Sequence, residues 1–148
     1  MKNIKEKILK FCLYRERCEF EVQKKLKVFQ INEKEINKLV NELKLENFID
    51  NKRFTKSYIR GKYEYKNWGF KKIKFHLNKF NIPDKLITEQ LNKIDLNSYD
   101  EKIKKIIRYK IQSYGDSKFL KKKIFLFLIS KGYEYSRIEK NYNELKYN

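Results

Sequence analysis

The chain is predicted to be all-α: three tandem three-helix repeats forming an elongated, curved helical array. The first observation behind this is a 51-residue period. Val22–Val40 (VQKKLKVFQINEKEINKLV), Ile73–Leu91 (IKFHLNKFNIPDKLITEQL) and Ile124–Tyr142 (IFLFLISKGYEYSRIEKNY) align without a gap. Five columns are apolar in every copy: Val22/Ile73/Ile124, Leu26/Leu77/Leu128, Ile31/Ile82/Tyr133, Ile36/Ile87/Ile138 and Val40/Leu91/Tyr142. A period longer than one helix marks a repeated supersecondary unit, whose neighbours share their apolar faces. The second observation is one Pro and four Gly in 148 residues, which leaves few sites for tight β-turns. The third is that apolar residues recur three and four apart, and no stretch alternates convincingly as a strand would.

The elements follow in order. Ile4, Ile8, Leu9 and Cys12 predict a helix near 2–15. Val22, Leu26 and Phe29 predict one near 19–29. Ile36, Leu39, Val40 and Leu43 predict one near 33–47, opened by Asn32 and Glu35, whose side chains suit a capping pair. Phe54, Tyr58, Ile59 and Tyr63 mark a helix near 53–66, and Ile73, Leu77 and Phe80 one near 70–80. Leu86, Ile87, Leu91 and Ile94 mark one near 83–94, with Pro83 in a first turn that tolerates a missing N–H. Ile103, Ile106, Ile107 and Ile111 place a helix near 100–114. Asp116 or Ser117 can cap the next, near 117–131, and the last spans about 135–146. Gln30, Asn81 and Gly132 share the column where each hairpin reverses, which calls for a left-handed residue. Glycine takes that conformation freely and Asn at moderate cost. Gln30 fits poorly, so the first turn is expected to be built differently. The units expected are 1–50, 51–98 and 99–148 within a single domain, 1–148.

Composition narrows the function. With 41% hydrophobic and 16% aromatic residues the chain can build a core despite 38% charged residues. No stretch has the length of a membrane span, and the N-terminal MKNIKEKILKFC lacks the long apolar region of a signal peptide. Cys12 and Cys18, six apart, form neither a metal pair nor a disulfide framework, and read as buried thiols of a cytoplasmic protein. The net charge is +18, from 31 Lys and 6 Arg against 19 acids. Such a Lys excess reflects a composition bias in part, but its distribution is uneven: +3 over residues 1–50, +7 over 51–100 and +8 over 101–148. The second and third repeats are the electropositive part. His76 is the one histidine, beside core column Leu77 and without Cys, Asp or Glu at ligand spacing, so no metal site and no nucleophile–base triad is expected. The four glycines are scattered and form no phosphate loop. No catalytic residue and no cofactor is expected.

The segment Leu43–Ile82, LKLENFIDNKRFTKSYIRGKYEYKNWGFKKIKFHLNKFNI, resembles the signature of the RecX family. The resemblance rests on Phe48, Ile49 and Asp50, then Arg53-Phe54, a basic aromatic helix with Tyr58 and Arg60, then Gly69, Ile73, Leu77 and Ile82. The ending ISKGYEYSRIEK, with Lys131-Gly132-Tyr133 and Ile138, is similar to the family's C-terminal hairpin. Asn47, Gln30 and Asn81 stand where the family favours glycine. The resemblance covers nearly the whole chain and implies three tandem three-helix units, the architecture that the period gives independently.

It also implies a regulatory protein, not an enzyme. RecX proteins bind the RecA–DNA filament of DNA repair and the SOS response, and restrain its growth, ATP hydrolysis and strand exchange. The expected partners are therefore the RecA filament and single- or double-stranded DNA near repeats 2 and 3, with no membrane, and the chain is expected to be a monomer. The alternative is a stand-alone basic helical DNA-binding module. The candidate contact residues are Arg53, Arg60 and Lys62 on the first helix of the middle unit, with Lys71, Lys72, Lys74 and Lys121, Lys122, Lys123. The 51-residue offset lays Lys71 over Lys122 and Lys72 over Lys123, which would make a repeated basic stripe; the competing reading is a solvated helix face. Arg53 can instead pair with Asp50 and anchor the connection. Trp68, Tyr63 and Tyr65 read as packing residues more than as base-stacking ones.

Overall fold

Side-chain caps place three of the helix starts in the computed structural model, which describes residues 2–115 and 118–147. Among these residues the chain forms nine α-helices, one π-helical turn and no strand. The helices are α1 (Lys2–Tyr14), α2 (Glu19–Lys27), α3 (Glu33–Leu45), α4 (Asn51–Arg60), α5 (Phe70–Lys79), α6 (Asp84–Leu91), α7 (Leu96–Tyr114), α8 (Leu120–Ser130) and α9 (Tyr135–Tyr147). The Asn32 side chain accepts from Glu35 N–H at 2.9 Å and opens α3, as its sequence position predicts. Asp50 accepts from Arg53 N–H and starts α4 at Asn51, two residues before the predicted start. Asp95 does the same for Ser98 and starts α7 at Leu96, four residues early. Pro83 is the N-cap of α6, with ψ at 139°, and not a member of its first turn. The proposed caps Asp116 and Ser117 lie outside the described residues. Residues 61–65, expected as the end of one long α-helix, widen into the π turn Gly61–Tyr65.

The apolar columns decide where each helix faces. Val22, Ile73 and Ile124 are fully buried, and so are Leu26, Leu77 and Leu128. Three hydrophobic clusters result. The first joins Ile8, Cys12, Leu26, Ile36, Val40 and Leu43 of α1–α3, with Phe29 and Ile31 packed against it from the closing turn. The second joins Phe54, Ile59, Ile73, Leu77, Ile87 and Leu91 of α4–α6. The third joins Tyr99, Ile103, Ile107, Ile124, Leu128 and Ile138 of α7–α9. Ile111 departs from the pattern: it is 40% exposed near the end of α7. Cys12 and Cys18 are free and buried, and desolvation pushes both thiols up to about 11, so neither is a ready nucleophile.

The hairpin turns overturn one expectation. Gln30, Asn81 and Gly132 have φ of 58°, 57° and 96°, so the first turn uses the same left-handed residue as the others. Gln30 N–H closes on Lys27 O at 3.1 Å, and Asn81 N–H on Asn78 O at 3.1 Å. Ile82 and Tyr133 N–H groups then reach back five residues to Leu77 and Leu128 carbonyls. The strain at Gln30, about 1–2 kcal/mol for an L-residue, is outweighed because the two helices must reverse there to bury their columns.

The clusters meet at two junctions of different chemistry. Between the first and second, Cys18 is buried in the second cluster, Glu19 N–H donates to Asn51 Oδ1 at 3.0 Å, and Phe20 meets Phe80 edge-on. Between the second and third, backbone meets backbone. Gly69 N–H donates to Lys131 O at 2.7 Å and Lys71 N–H to Gly132 O at 3.0 Å, so the first turn of α5 is satisfied by the α8–α9 turn. Tyr99 Oη accepts from Phe70 N–H at 3.1 Å and donates to Glu134 at 2.8 Å, while its ring stacks on Phe70 at 3.9 Å. Tyr133 Oη donates to Asn67 O at 2.9 Å.

A buried polar cluster ties α7 to α9. Arg137 Nη1 reaches both Asp100 oxygens at 2.9 and 3.0 Å, and Asn141 Nδ2 donates to Asp100 Oδ1 at 3.0 Å. Burial alone would push the Asp100 carboxyl up. The hydrogen bonds from Asn141 and Arg137 and the charges of Arg137 and Lys140 outweigh it and hold the carboxyl below its ordinary range. A depressed folded value contributes stability above about pH 4, the ordinary carboxyl value, and loses it as pH falls through the lower folded value. Asp100→Asn should therefore lower the urea midpoint at neutral pH and flatten its fall below about pH 4. An unchanged acid limb in the variant would remove Asp100 from this role.

Candidate functional site

The candidate basic residues divide by how they are held. Arg53 is held within the chain. Its Nε donates to Glu16 at 2.6 Å and its Nη2 to Asn47 O at 2.9 Å, so its guanidinium ties α4 to the α1–α2 connection and not to the Asp50 carboxylate, the alternative partner that the sequence offers. Asp50 takes the Arg53 backbone N–H instead. The Asn47 carbonyl is aimed by a left-handed φ of 63°. Arg60 is exposed, 3.4 Å from Glu64 one turn on.

Lys62 and Lys72 converge on Trp68. Their Nζ atoms stand 4.8 and 4.6 Å from the indole centroid, and the His76 ring lies 4.8 Å from it. Burial first, then the charges of Lys79, Lys72 and Lys62, lower the His76 value, so the imidazole is neutral at pH 7 beside three ammonium groups. Trp68 and Tyr63 are half-buried packing residues, as expected, but Tyr65 is 73% exposed. Lys71 and Lys74 are exposed on α5; Lys121, Lys122 and Lys123 are exposed on α8. Of the two pairs related by the 51-residue offset, Lys71 and Lys122 are both exposed, but Lys72 and Lys123 differ. Lys72 is half-buried, its Cα close to Gly132, whereas Lys123 stands in solvent 5.8 Å from the Tyr114 ring.

A second basic surface was not among the candidates. A groove of about 750 Å³ opens between the π turn, α7 and the end of α8. Lys102, Lys105, Arg108 and Tyr109 of α7 line it, with Lys66 after the π turn and Lys131 after α8. The Lys102 ammonium donates to the Tyr63 carbonyl and stands 4.0 Å over the Tyr63 ring; burial lowers its value. Lys110 lies 3.9 Å over Phe127 at the groove wall. Tyr109 is 65% exposed. Glu64 and Glu101 are the acids of the lining, and Glu101 pairs with Lys104, outside it. Among the described ion pairs, none engages Lys66, Lys105, Arg108 or Lys131. The available signal was helical spacing: Ser98, Lys102, Lys105 and Tyr109 recur four, three and four residues apart on α7. Lysine triplets draw attention in sequence, but a triplet wraps around a helix, while this spacing lines one side of it.

Among the described residues no group of three His, Cys, Asp or Glu could hold a metal ion, and no helix is long and apolar enough to cross a membrane.

The chain is similar to known proteins over most of its length. A protein of Clostridium acetobutylicum named regulatory protein RecX is 29% identical over 140 residues, covering 90% of this chain and 64% of the relative. Its namesake in Streptococcus agalactiae serotype III is 31% identical over 127 residues, covering 86% of this chain and 49% of the relative. The chain thus spans between about half and two-thirds of the length of these relatives. The crystal structure of RecX from Lactobacillus salivarius matches with a TM-score of 0.87 at 26% identity, over 99% of this chain and 97% of that one. A second crystal structure, of regulatory protein RecX, matches in fold with a TM-score of 0.82. No family model matches.

Proposed function

This chain belongs to the RecX family of regulatory proteins, and from that premise we propose that it binds the RecA–DNA filament and restrains filament growth, ATP hydrolysis and strand exchange in DNA repair. It acts by occupancy, without catalysis, as a cytoplasmic monomer whose single domain comprises three repeats, 1–50, 51–98 and 99–148, arranged as an elongated, curved array. The observation that carries this reading is the match in fold, nearly end to end on both sides, to a solved RecX. Charge supports it. The net +18 is weighted to the second and third repeats, where Lys71, Lys74, Lys121, Lys122 and Lys123 are exposed. An extended helical array lined this way suits an acidic groove carrying DNA phosphate.

The test is the rate of ATP hydrolysis by the cognate recombinase on single-stranded DNA at moderate salt. Sub-stoichiometric amounts of the chain should slow it, since each bound molecule restrains a filament of many protomers. Removing charge at Lys71, Lys74, Lys121 and Lys122 together should weaken the inhibition. No inhibition, with tight and salt-steep binding to naked DNA, would replace this reading with a stand-alone DNA-binding module.

A further inference from the structure

The geometry points to the groove between the π turn and α7 as a binding site for single-stranded nucleic acid, with Lys105 and Arg108 on the phosphates and Tyr109 stacking on a base. Nucleic acid near the second and third repeats is part of the proposed function, and the inference rests on that reading for its setting. It adds a place, a strandedness and a residue for each contact, none of which belongs to the lysine triplets of α5 and α8.

Three features select this ligand. The lining is rich in lysine, which is depleted at protein–protein interfaces but suits a phosphate chain. Tyr109 presents 65% of its surface beside those cations, and a positive groove with an exposed aromatic is the arrangement that holds single strands without reading sequence. The groove is narrow in chemistry as well. Lys102 is committed to the Tyr63 carbonyl and Lys110 lies over Phe127, with Lys131 5.7 Å from the same ring, so these shape the walls and leave Lys105, Arg108 and Lys66 to the ligand. The π turn supplies one wall by widening the helix after Arg60 and carrying Tyr63 and Glu64 to the rim. A duplex hides its base faces by stacking and could use only the cations.

Fluorescence anisotropy with a labelled oligothymidylate, without recombinase, tests the assignment. Tyr109→Ala should weaken binding on the order of tenfold with an unchanged salt slope, and Tyr109→Phe should retain wild-type affinity. Lys105→Gln with Arg108→Gln should weaken binding and reduce the slope of log affinity against log salt by about 1.4, the value for two phosphate contacts on a single strand. Lys34→Gln with Lys38→Gln, exposed on α3 far from the groove in sequence, should change neither. Equal losses in groove and control variants, equal affinity of the wild type for duplex, or displacement of the strand by an oligoglutamate peptide at lower concentration than by unlabelled strand would each overturn the site. The recombinase assay separates the two readings. Inhibition that persists in groove variants with lost strand binding keeps both; absent inhibition with intact groove binding removes the proposed function alone.

Discussion

Gly132→Ala should destabilise the protein by about 2–5 kcal/mol, combining left-handed strain with overpacking. Two causes act at one atom. Gly132 has φ of +96°, and a Cβ built there would stand 2.4 Å from Lys72 Cβ and 2.5 Å from Lys72 N. The neighbour is the first turn of α5, whose Lys71 N–H bonds to the Gly132 carbonyl, so the turn cannot recede without breaking that bond. Gly69→Ala meets the same contact from the other side: its Cβ would lie 2.5 Å from Gly132 C and O and from Tyr133 N. Its backbone is extended, so only the steric part applies, about 1–3 kcal/mol. Gly61 is the control. Its φ is −62° and nothing lies within 4 Å of a built Cβ, so Gly61→Ala should be neutral or stabilise by up to about 1 kcal/mol. Thermal unfolding reads the series. At 148 residues each kcal/mol moves Tm by roughly 2–4 °C. A Gly132→Ala protein as stable as wild type would mean that the second and third clusters do not meet as described.

Leu77→Ala should cost about 2–5 kcal/mol, and so should Leu26→Ala and Leu128→Ala. The three leucines are one column of the 51-residue period, and each is fully buried in a different cluster. Truncation removes the transfer free energy of three carbons and leaves a void that rigid helices fill only in part. Urea unfolding should show a lower midpoint for each. The spread among the three would report how far each cluster relaxes. A change of a few tenths of a kcal/mol at Leu77 would break the register on which the column rests.

The columns were legible because burial imposes a periodicity that the sequence must carry. Ile36, Leu39, Val40 and Leu43 occur at the spacing of one helix face, and all four are buried. Boundaries were less legible where two local rules compete. α7 starts at Leu96 because Asp95 caps it, although the apolar spacing from Ile103 onward places its start near residue 100. The π turn at Gly61–Tyr65 has no signature in the apolar pattern, which continues through Tyr63 as if the helix were regular. Gln30 was misjudged for a similar reason. Residue preference disfavours a left-handed glutamine, but packing of α2 on α3 sets the reversal and the residue conforms. At the site, the Lys62 and Lys72 pair on Trp68 joins residues ten apart through a turn that no periodicity describes. Arg53 found Glu16, 37 residues away, in place of its close neighbour Asp50.

Helix content, the three sets of core positions, the inert cysteines and the positive charge of the last two-thirds follow from local propensity, spacing and composition, which any stretch of chain expresses by itself. The second-to-third junction, the partners of Arg53 and Arg137 and the groove on α7 do not. They depend on backbone atoms and side chains far apart in sequence arriving within a few ångströms, as Gly69 and Gly132 do. That proximity is set by close packing of whole helices, and packing is a property of surfaces that exist only once the helices have met.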